Sequence, residues 1–140
     1  MVKNLSYNSK KIKTLLTEVV GRPLSLTERF KLRGIGSNKL VITDASKEIV
    51  ELLRLDNNIN YCNIEIRKNG IIIRFRSLLE TYGLIIPFYK LVIYKGESKI
   101  YSFYKDKHYV KCFVDNKSST TFIKKVIKLK TVYLKKIGLN

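Results

Sequence analysis

The spacing of the apolar residues changes near residue 60, and this change constrains the fold more than any other feature. Up to residue 58 apolar residues recur every three or four positions, as on one face of a helix. From Tyr61 onward the period is two, as along strands that are buried on one side. Helices followed by a run of strands predict an α+β protein. We predict a mainly helical segment over 1–58 and an antiparallel sheet with a closing helix over 59–140, packed as one compact unit.

The ends of two helices in the first segment are predicted from local signals. An apolar stripe over 10–20 is followed by Gly21, and glycine is typical of the residue after a helix. Ser25 and Glu28 have the spacing of a capping box, in which each side chain accepts a hydrogen bond from the backbone of the other residue. We therefore expect a short second helix directly after Ser25.

A third helix is predicted at the end of the first segment. After a short predicted strand at 40–42, we expect Thr43 or Asp44 to cap a helix that ends at Leu55. Both residue types accept hydrogen bonds from the free N–H groups of a first helical turn. The polar cluster at 56–60 is rich in Asn and is typical of a turn, so it marks the predicted boundary between the two segments.

The Asn-Gly pair at 69–70 is the strongest hairpin signal in the sequence. If this pair is the two-residue turn, Ile64 lies opposite Phe75 on one face of the hairpin. Glu65 then lies opposite Arg74 on the other face, where opposite charges attract. This register predicts an apolar inner face and a charged outer face.

Further turn signals divide the rest of the second segment into short strands. With residues 106–107 as a turn, Phe103 faces Val110 and Tyr101 faces Cys112, which gives a second coherent inner face. The predicted strands after the hairpin are 84–86, 91–94, 100–104 and 108–114.

Positive charge is the main outlier of the composition. The chain has 28 Lys and Arg against 11 Asp and Glu, a net charge of +17. Asp115 is the last acidic residue, and the predicted helix after it has an apolar face with lysines roughly opposite. Such a helix packs through one face and presents the other to phosphate-bearing partners. Its candidate anion-binding residues are Lys124, Lys125, Lys128, Lys135 and Lys136. Arg74 and Arg76, on the outer face of the hairpin, form a second candidate patch.

Residues that commonly carry catalysis or bind metals are scarce. His108 is the single histidine, and Cys62 and Cys112 are the two cysteines, so Cys and His cannot supply four zinc ligands. The sequence has no Gly-rich phosphate loop and no G-x-S-x-G motif. We therefore expect no catalytic residue, metal site or cofactor. Both cysteines are expected to be reduced, and a disulfide between them requires that their strands meet.

One part of the chain resembles a known family. Residues 64–73 read IEIRKNGIII, residues 86–91 read IPFYKL, and strands and a closing helix follow. This arrangement resembles bacterial pleckstrin-homology-like domains over about residues 61–137. The whole chain also resembles small bacterial proteins of similar length. The pleckstrin-homology-like resemblance implies a partial barrel capped by the C-terminal helix, and a non-enzymatic module for membrane surfaces, peptides or oligomers. It implies no particular binding residue.

Charge and resemblance together predict a binding module that is recruited electrostatically to an anionic partner, either lipid headgroups or an acidic protein. The N-terminus lacks a signal-peptide apolar region, so we expect a cytoplasmic protein, peripheral to the inner face of the membrane if lipid is the partner.

Two alternatives stay open. One is a nucleic-acid binder, either a winged helix with its recognition helix at 44–55 or a sheet whose tyrosines stack on bases. The tyrosines of that sheet are Tyr89, Tyr94, Tyr101, Tyr104 and Tyr109. The other alternative is a small-substrate enzyme, which needs an enclosed pocket around His108 or Glu80.

Overall fold

A computed structural model of the chain describes residues 2–6, 9–55 and 60–138, and these residues form eight strands and four helices. The strands are β1 (Val2–Asn4), β2 (Leu40–Ala45), β3 (Tyr61–Arg67), β4 (Gly70–Ser77), β5 (Glu80–Pro87), β6 (Leu91–Lys95), β7 (Ile100–Lys105) and β8 (His108–Phe113). The helices are α1 (Lys10–Val20), α2 (Leu26–Leu32), α3 (Lys47–Leu53) and α4 (Lys117–Lys136). The predicted α+β class, with an antiparallel sheet and a C-terminal helix, is confirmed.

All eight strands belong to one antiparallel sheet with the order β1-β5-β4-β3-β2-β8-β7-β6. The strands β3 to β5 form one meander and the strands β6 to β8 form another. β2 lies between the two meanders and pairs with β3 on one side and β8 on the other. The division at residues 58 and 59 stays a prediction, but both parts of the chain contribute strands to this sheet.

The connection from β5 to β6 shows that the sheet is strongly curved. These strands are six positions apart in the sheet, which is roughly 29 Å in a flat sheet. Only Phe88, Tyr89 and Lys90 join them, and the path from Pro87 to Leu91 spans at most about 15 Å. The sheet therefore curls until its two ends approach each other. It stays open, since β1 and β6 are its two edges.

Curvature also explains a contact between the two cysteines. Cys62 on β3 and Cys112 on β8 flank β2, and flanking strands of a flat sheet lie roughly 9.6 Å apart. Their Sγ atoms are nevertheless 3.4 Å apart, because side chains on the concave face of a curved sheet converge. Both cysteines are free and fully buried, and their thiols touch although their strands do not pair with each other.

Helices cover both faces of the sheet. Leu16 and Val20 of α1 pack on Ile72 and Ile85, which lie on the convex face of β4 and β5. α3 and α4 place their apolar side chains in the larger cluster on the concave face, together with inward residues of β2 to β8. The molecule therefore has three layers, with α1 outside the curve and α3 and α4 inside it.

The predicted register of the first hairpin is wrong by two residues. Ile64 pairs with Ile73, and the turn consists of Lys68 and Asn69. Gly70 instead begins β4, where a Cβ atom would lie 2.4 Å from the carbonyl oxygen of Ile86. The glycine is needed for this close approach rather than for a positive φ. Because the shift is an even number, the predicted apolar and charged faces are retained.

Other local predictions have mixed outcomes. α1 and the capping box of α2 are confirmed, as is the pairing of Phe103 with Val110. The predicted cap at Thr43 or Asp44 is wrong, because both residues belong to β2, where Asp44 pairs with Lys111 of β8, and the helix begins only after Ser46. The boundary cluster lies outside the described residues at 56–59.

The winged-helix alternative required a recognition helix at 44–55 and used the hairpin at 69–70 as the wing. Asp44 belongs to a strand, and the hairpin of β3 and β4 lies inside an eight-stranded sheet. That arrangement is therefore not the one that the chain adopts.

Candidate anion-binding site

α4 is fixed to the concave face by its first half. Asn116 caps the helix by accepting a hydrogen bond from the backbone N–H of Ser119 at 2.8 Å. Phe122, Ile123 and Val126 are fully buried. The apolar face is narrower than the sequence predicts, because Ile127 is 42% exposed. The second half of the helix packs on the core only through partly buried side chains, among them Leu129 and Tyr133.

Most of the predicted lysines lie on the exposed side of α4. Lys124, Lys128, Lys135 and Lys136 are exposed, and no α4 lysine forms an ion pair with a carboxylate within residues 2–6, 9–55 and 60–138. Lys125 differs, since its Nζ donates a hydrogen bond to the carbonyl oxygen of Gly34 at 3.0 Å. Burial lowers the pKa of Lys125. Lys125 therefore holds α4 to the loop after α2 rather than facing a partner.

The second predicted patch lies away from α4, on the convex face. Arg74 Nη2 lies 2.6 Å from Glu65 Oε1, and Arg67 Nε lies 2.6 Å from Glu65 Oε2. Burial alone would raise the pKa of Glu65, but hydrogen bonds from the two arginines outweigh it and hold this pKa below its ordinary value. Arg76 is exposed and donates to the carbonyl oxygen of Leu79 at 3.3 Å. The structure does not bring Arg74 and Arg76 together with the α4 lysines.

A groove between α2 and the second half of α4 was not predicted from the sequence. We call it the α2–α4 groove, and its volume is about 770 Å³. Its main apolar lining residues are Leu24, Leu32, Phe88, Leu129, Val132 and Tyr133. Its charged lining residues are Glu28, Lys31, Arg67, Lys68 and Lys136. Of the predicted anion-binding lysines, only Lys136 lines this groove.

α2 also exposes two large apolar side chains that do not line this groove. Leu26 is 82% exposed and Phe30 is 86% exposed, and their spacing of four places them on the same side of the helix. The helix has no fully buried residue, and its basic residues Arg29, Lys31 and Arg33 flank or follow Phe30 along the chain. We call the exposed residues of α2, together with the exposed lysines of α4, the α2–α4 face. A short basic helix with no complete apolar stripe was the sequence signal for this face.

The residues that were considered for catalysis or metal binding, Cys62 and His108 among them, lie beside neighbouring side chains. A hydrogen bond with the Cys112 thiol and burial both raise the pKa of Cys62. His108 Nδ1 lies 3.8 Å from Glu48 Oε2, and burial lowers the pKa of His108. The described part of the chain contains no group of three His, Cys, Asp or Glu that could hold a metal ion.

The tyrosines of the predicted stacking surface do not form one continuous surface. Tyr101 is buried, and the rings of Tyr104 and Tyr109 pack on each other with centroids 5.4 Å apart. Tyr89 and Tyr94 are exposed.

Comparison of the chain with protein-family profiles, curated proteins and solved structures finds no match. None of the described helices is both long and apolar enough to cross a membrane. A functional conclusion therefore depends on the geometry of the α2–α4 face and groove.

Proposed function

We propose that the protein is a non-enzymatic module that binds anionic membrane surfaces through the α2–α4 face. The observation that carries this proposal is the nearly complete exposure of Leu26 and Phe30 among basic residues. Apolar side chains surrounded by cations are typical of helices that lie in the membrane interface. A nucleic acid or an acidic protein held by charge alone would leave these two side chains without a role.

The expected energies are those of weak, reversible recruitment. Full burial of a Leu or Phe side chain contributes about 1.5–3 kcal/mol. Each lysine near an anionic leaflet contributes about 1 kcal/mol, and Lys124, Lys128 and Lys135 are exposed for this purpose. Since neither contribution alone gives firm binding, we expect attachment only where both lipid charge and accessible acyl chains are present.

The proposal includes a pleckstrin-homology-like architecture over residues 61–137 and a cytoplasmic location at the inner face of the membrane. The curled antiparallel sheet and the closing helix α4 support it. The sheet has eight strands, one more than the seven of such barrels, and β1 and β2 come from outside the region of resemblance.

The test is flotation of the purified protein with vesicles of neutral lipid and with vesicles that contain anionic lipid, at about 50 and 200 mM salt. We expect binding to anionic vesicles only, weakened by salt because screening acts on exposed charges. Replacing Lys124, Lys128 and Lys135 by Gln should weaken binding roughly 100-fold, as expected from about 1 kcal/mol per lysine. The double variant Leu26→Ser, Phe30→Ser should also lose binding.

A matched control replaces Lys10, Lys11 and Lys13 by Gln, which removes the same charge from exposed positions of α1. This control should bind anionic vesicles nearly as well as the unmodified protein, and circular dichroism should show that all variants stay folded. Equal losses in the two triple variants would reject the α2–α4 face as the site. Salt-sensitive binding to a fluorescent oligonucleotide without vesicle binding would replace the proposal by the nucleic-acid alternative.

A further inference from the structure

We propose that the α2–α4 groove binds one acyl chain that carries an anionic head group, such as a long-chain fatty acid. This goes beyond attachment to a bilayer, because the ligand is a single molecule held between α2 and α4. The proposal does not require the exposed lysines of α4 to bind vesicles.

The floor and walls of the groove suit an acyl chain. Its volume of about 770 Å³ lies within the usual range of small-molecule sites. Leu129 and Tyr133 are only partly buried, and Val132 is 55% exposed although it lines a concave surface. Contact of such side chains with water is unfavourable, so an apolar occupant is stabilised there.

Three lysines from separate elements converge at the groove and supply the charge for a head group. Lys31 lies on α2, Lys68 lies in the turn between β3 and β4, and Lys136 lies in the last turn of α4. The fold brings these lysines together, since the three residues are far apart along the chain. An anion in the groove is attracted by all three lysines.

The remaining charged groups of the lining are already neutralised by neighbours. Arg67 donates to Glu65, and its side chain is only 9% exposed. Glu28 lies 2.7 Å from Arg22 and accepts a hydrogen bond from the backbone N–H of Ser25 at 2.9 Å. The Arg22 guanidinium and the Ser25 N–H lower the pKa of Glu28 to about 2. The net charge available to a ligand is therefore that of the lysines.

This combination favours an anionic amphiphile over other occupants. A peptide would bring backbone N–H and C=O groups into a mainly apolar lining, where unpaired polar groups are unfavourable. An uncharged apolar molecule would leave Lys31, Lys68 and Lys136 without an anion. One acyl chain with one anionic group satisfies both the apolar walls and the cations.

The proposal is tested by calorimetric titration of the full chain with monomeric octanoate, decanoate and dodecanoate, without vesicles. Each added pair of methylene groups should tighten Kd about tenfold. Dodecanol, which has the same chain without the charge, should bind at least tenfold more weakly than dodecanoate. Dodecyl phosphate is the arm that distinguishes a preference for phosphate from a preference for carboxylate.

Two sets of variants distinguish the contacts with the acyl chain from the contacts with the head group. Val132→Asn should weaken both dodecanoate and dodecanol at least tenfold, and circular dichroism checks that the helix persists. The double variant Lys31→Gln, Lys68→Gln should weaken dodecanoate about tenfold and leave dodecanol unchanged. Lys124→Gln with Lys128→Gln is the control, since these exposed lysines do not line the groove.

Equal affinity for dodecanoate and dodecanol, or full dodecanoate affinity in Val132→Asn, would overturn the proposal. Loss of vesicle binding in the Lys124, Lys128 and Lys135 variant with normal dodecanoate binding would support two separate sites. Normal vesicle binding by a protein that does not bind dodecanoate would reject the groove site and leave the proposed function standing.

Discussion

Glu65 joins two arginines that would otherwise repel each other on the convex face. Its carboxylate contacts Arg67, whose side chain is 9% exposed, and Arg74, whose side chain is 31% exposed. Arg67 also donates to the carbonyl oxygen of Gly21 at 3.4 Å, which connects the hairpin to the end of α1. One carboxylate therefore organises the outer face around the turn next to the groove.

Replacement of this carboxylate gives a prediction with a defined pH dependence. Glu65→Gln should lower the free energy of unfolding at pH 7 by about 1–3 kcal/mol, because Arg67 loses its charged partner. Since the pKa of Glu65 is lowered on folding, its contribution is full above the unfolded pKa of about 4.3 and is lost as the pH falls through the lower folded pKa. The difference between wild type and variant should therefore shrink in acid.

Urea unfolding at about pH 7, 5 and 3.5 measures this difference. Glu97→Gln is the matched control, because it removes the same charge from an exposed position. A Glu65→Gln effect that is equally large at every pH would contradict an ionised carboxylate as its cause.

Among the elements, α2 depends most on its own local interactions. It has no fully buried residue, whereas α1 buries Leu16 and Val20. The capping box joins Ser25 and Glu28 through reciprocal hydrogen bonds at 3.2 Å and 2.9 Å. A helix with little packing is expected to open locally at low free-energy cost.

Ser25→Ala should therefore act on α2 more than on the whole protein. Loss of an N-cap costs about 1 kcal/mol, which corresponds to roughly fivefold faster hydrogen exchange of the α2 amides. The same variant should bind vesicles more weakly, because Leu26 and Phe30 are presented by an ordered helix.

Ser9→Ala, which removes the N-cap of α1, is the comparison. Its effect on exchange should be smaller, since packing on Ile72 and Ile85 also holds α1. If Ser9→Ala accelerates exchange in α1 more than Ser25→Ala accelerates exchange in α2, then packing rather than capping holds α2.

The elements also show which parts of the fold a sequence can predict. α1, the capping box of α2 and the pairing of Phe103 with Val110 follow from signals within a few residues. The start of α3 was missed because Thr43 and Asp44 belong to β2, which pairs with a strand much later in the chain. The turn of the first hairpin was missed because Gly70 is required by its close contacts with Ile86 and α1, and not by its neighbours in the sequence.

The candidate site was predictable only in part, for the same reason. The exposed lysines of α4 follow from helical spacing, and Lys124, Lys128, Lys135 and Lys136 lie where that spacing predicts. The groove combines α2, the turn after β3, the residue after β5 and the end of α4. No pattern within one of these segments indicates that the others lie beside it.

The net charge of +17 affects the molecule as a whole. Few of its cations are paired, since the described residues form four ion pairs with Lys or Arg. Like charges spread over a compact molecule repel one another and disfavour the folded state. Salt should therefore stabilise the fold and weaken binding to an anionic surface, two effects of opposite sign.

Raising the salt concentration from about 20 to 200 mM should increase the melting temperature by about 4 °C, if screening contributes about 1 kcal/mol. Scanning calorimetry measures this change, and vesicle flotation under the same conditions measures the opposite trend. A melting temperature that falls with salt would mean that attractive ion pairs outweigh the repulsion.

The central position of β2 has a consequence for the order in which the chain can fold. Each meander can form from contacts between neighbours in the sequence, but β2 must wait for β8 before both of its sides are paired. Contacts so distant in sequence slow folding, because the intervening loop has to close first. During synthesis on the ribosome, β2 therefore keeps an unpaired edge until β8 has emerged. We expect this interval to be the period of greatest aggregation risk, and chaperone demand to fall sharply once β8 is released.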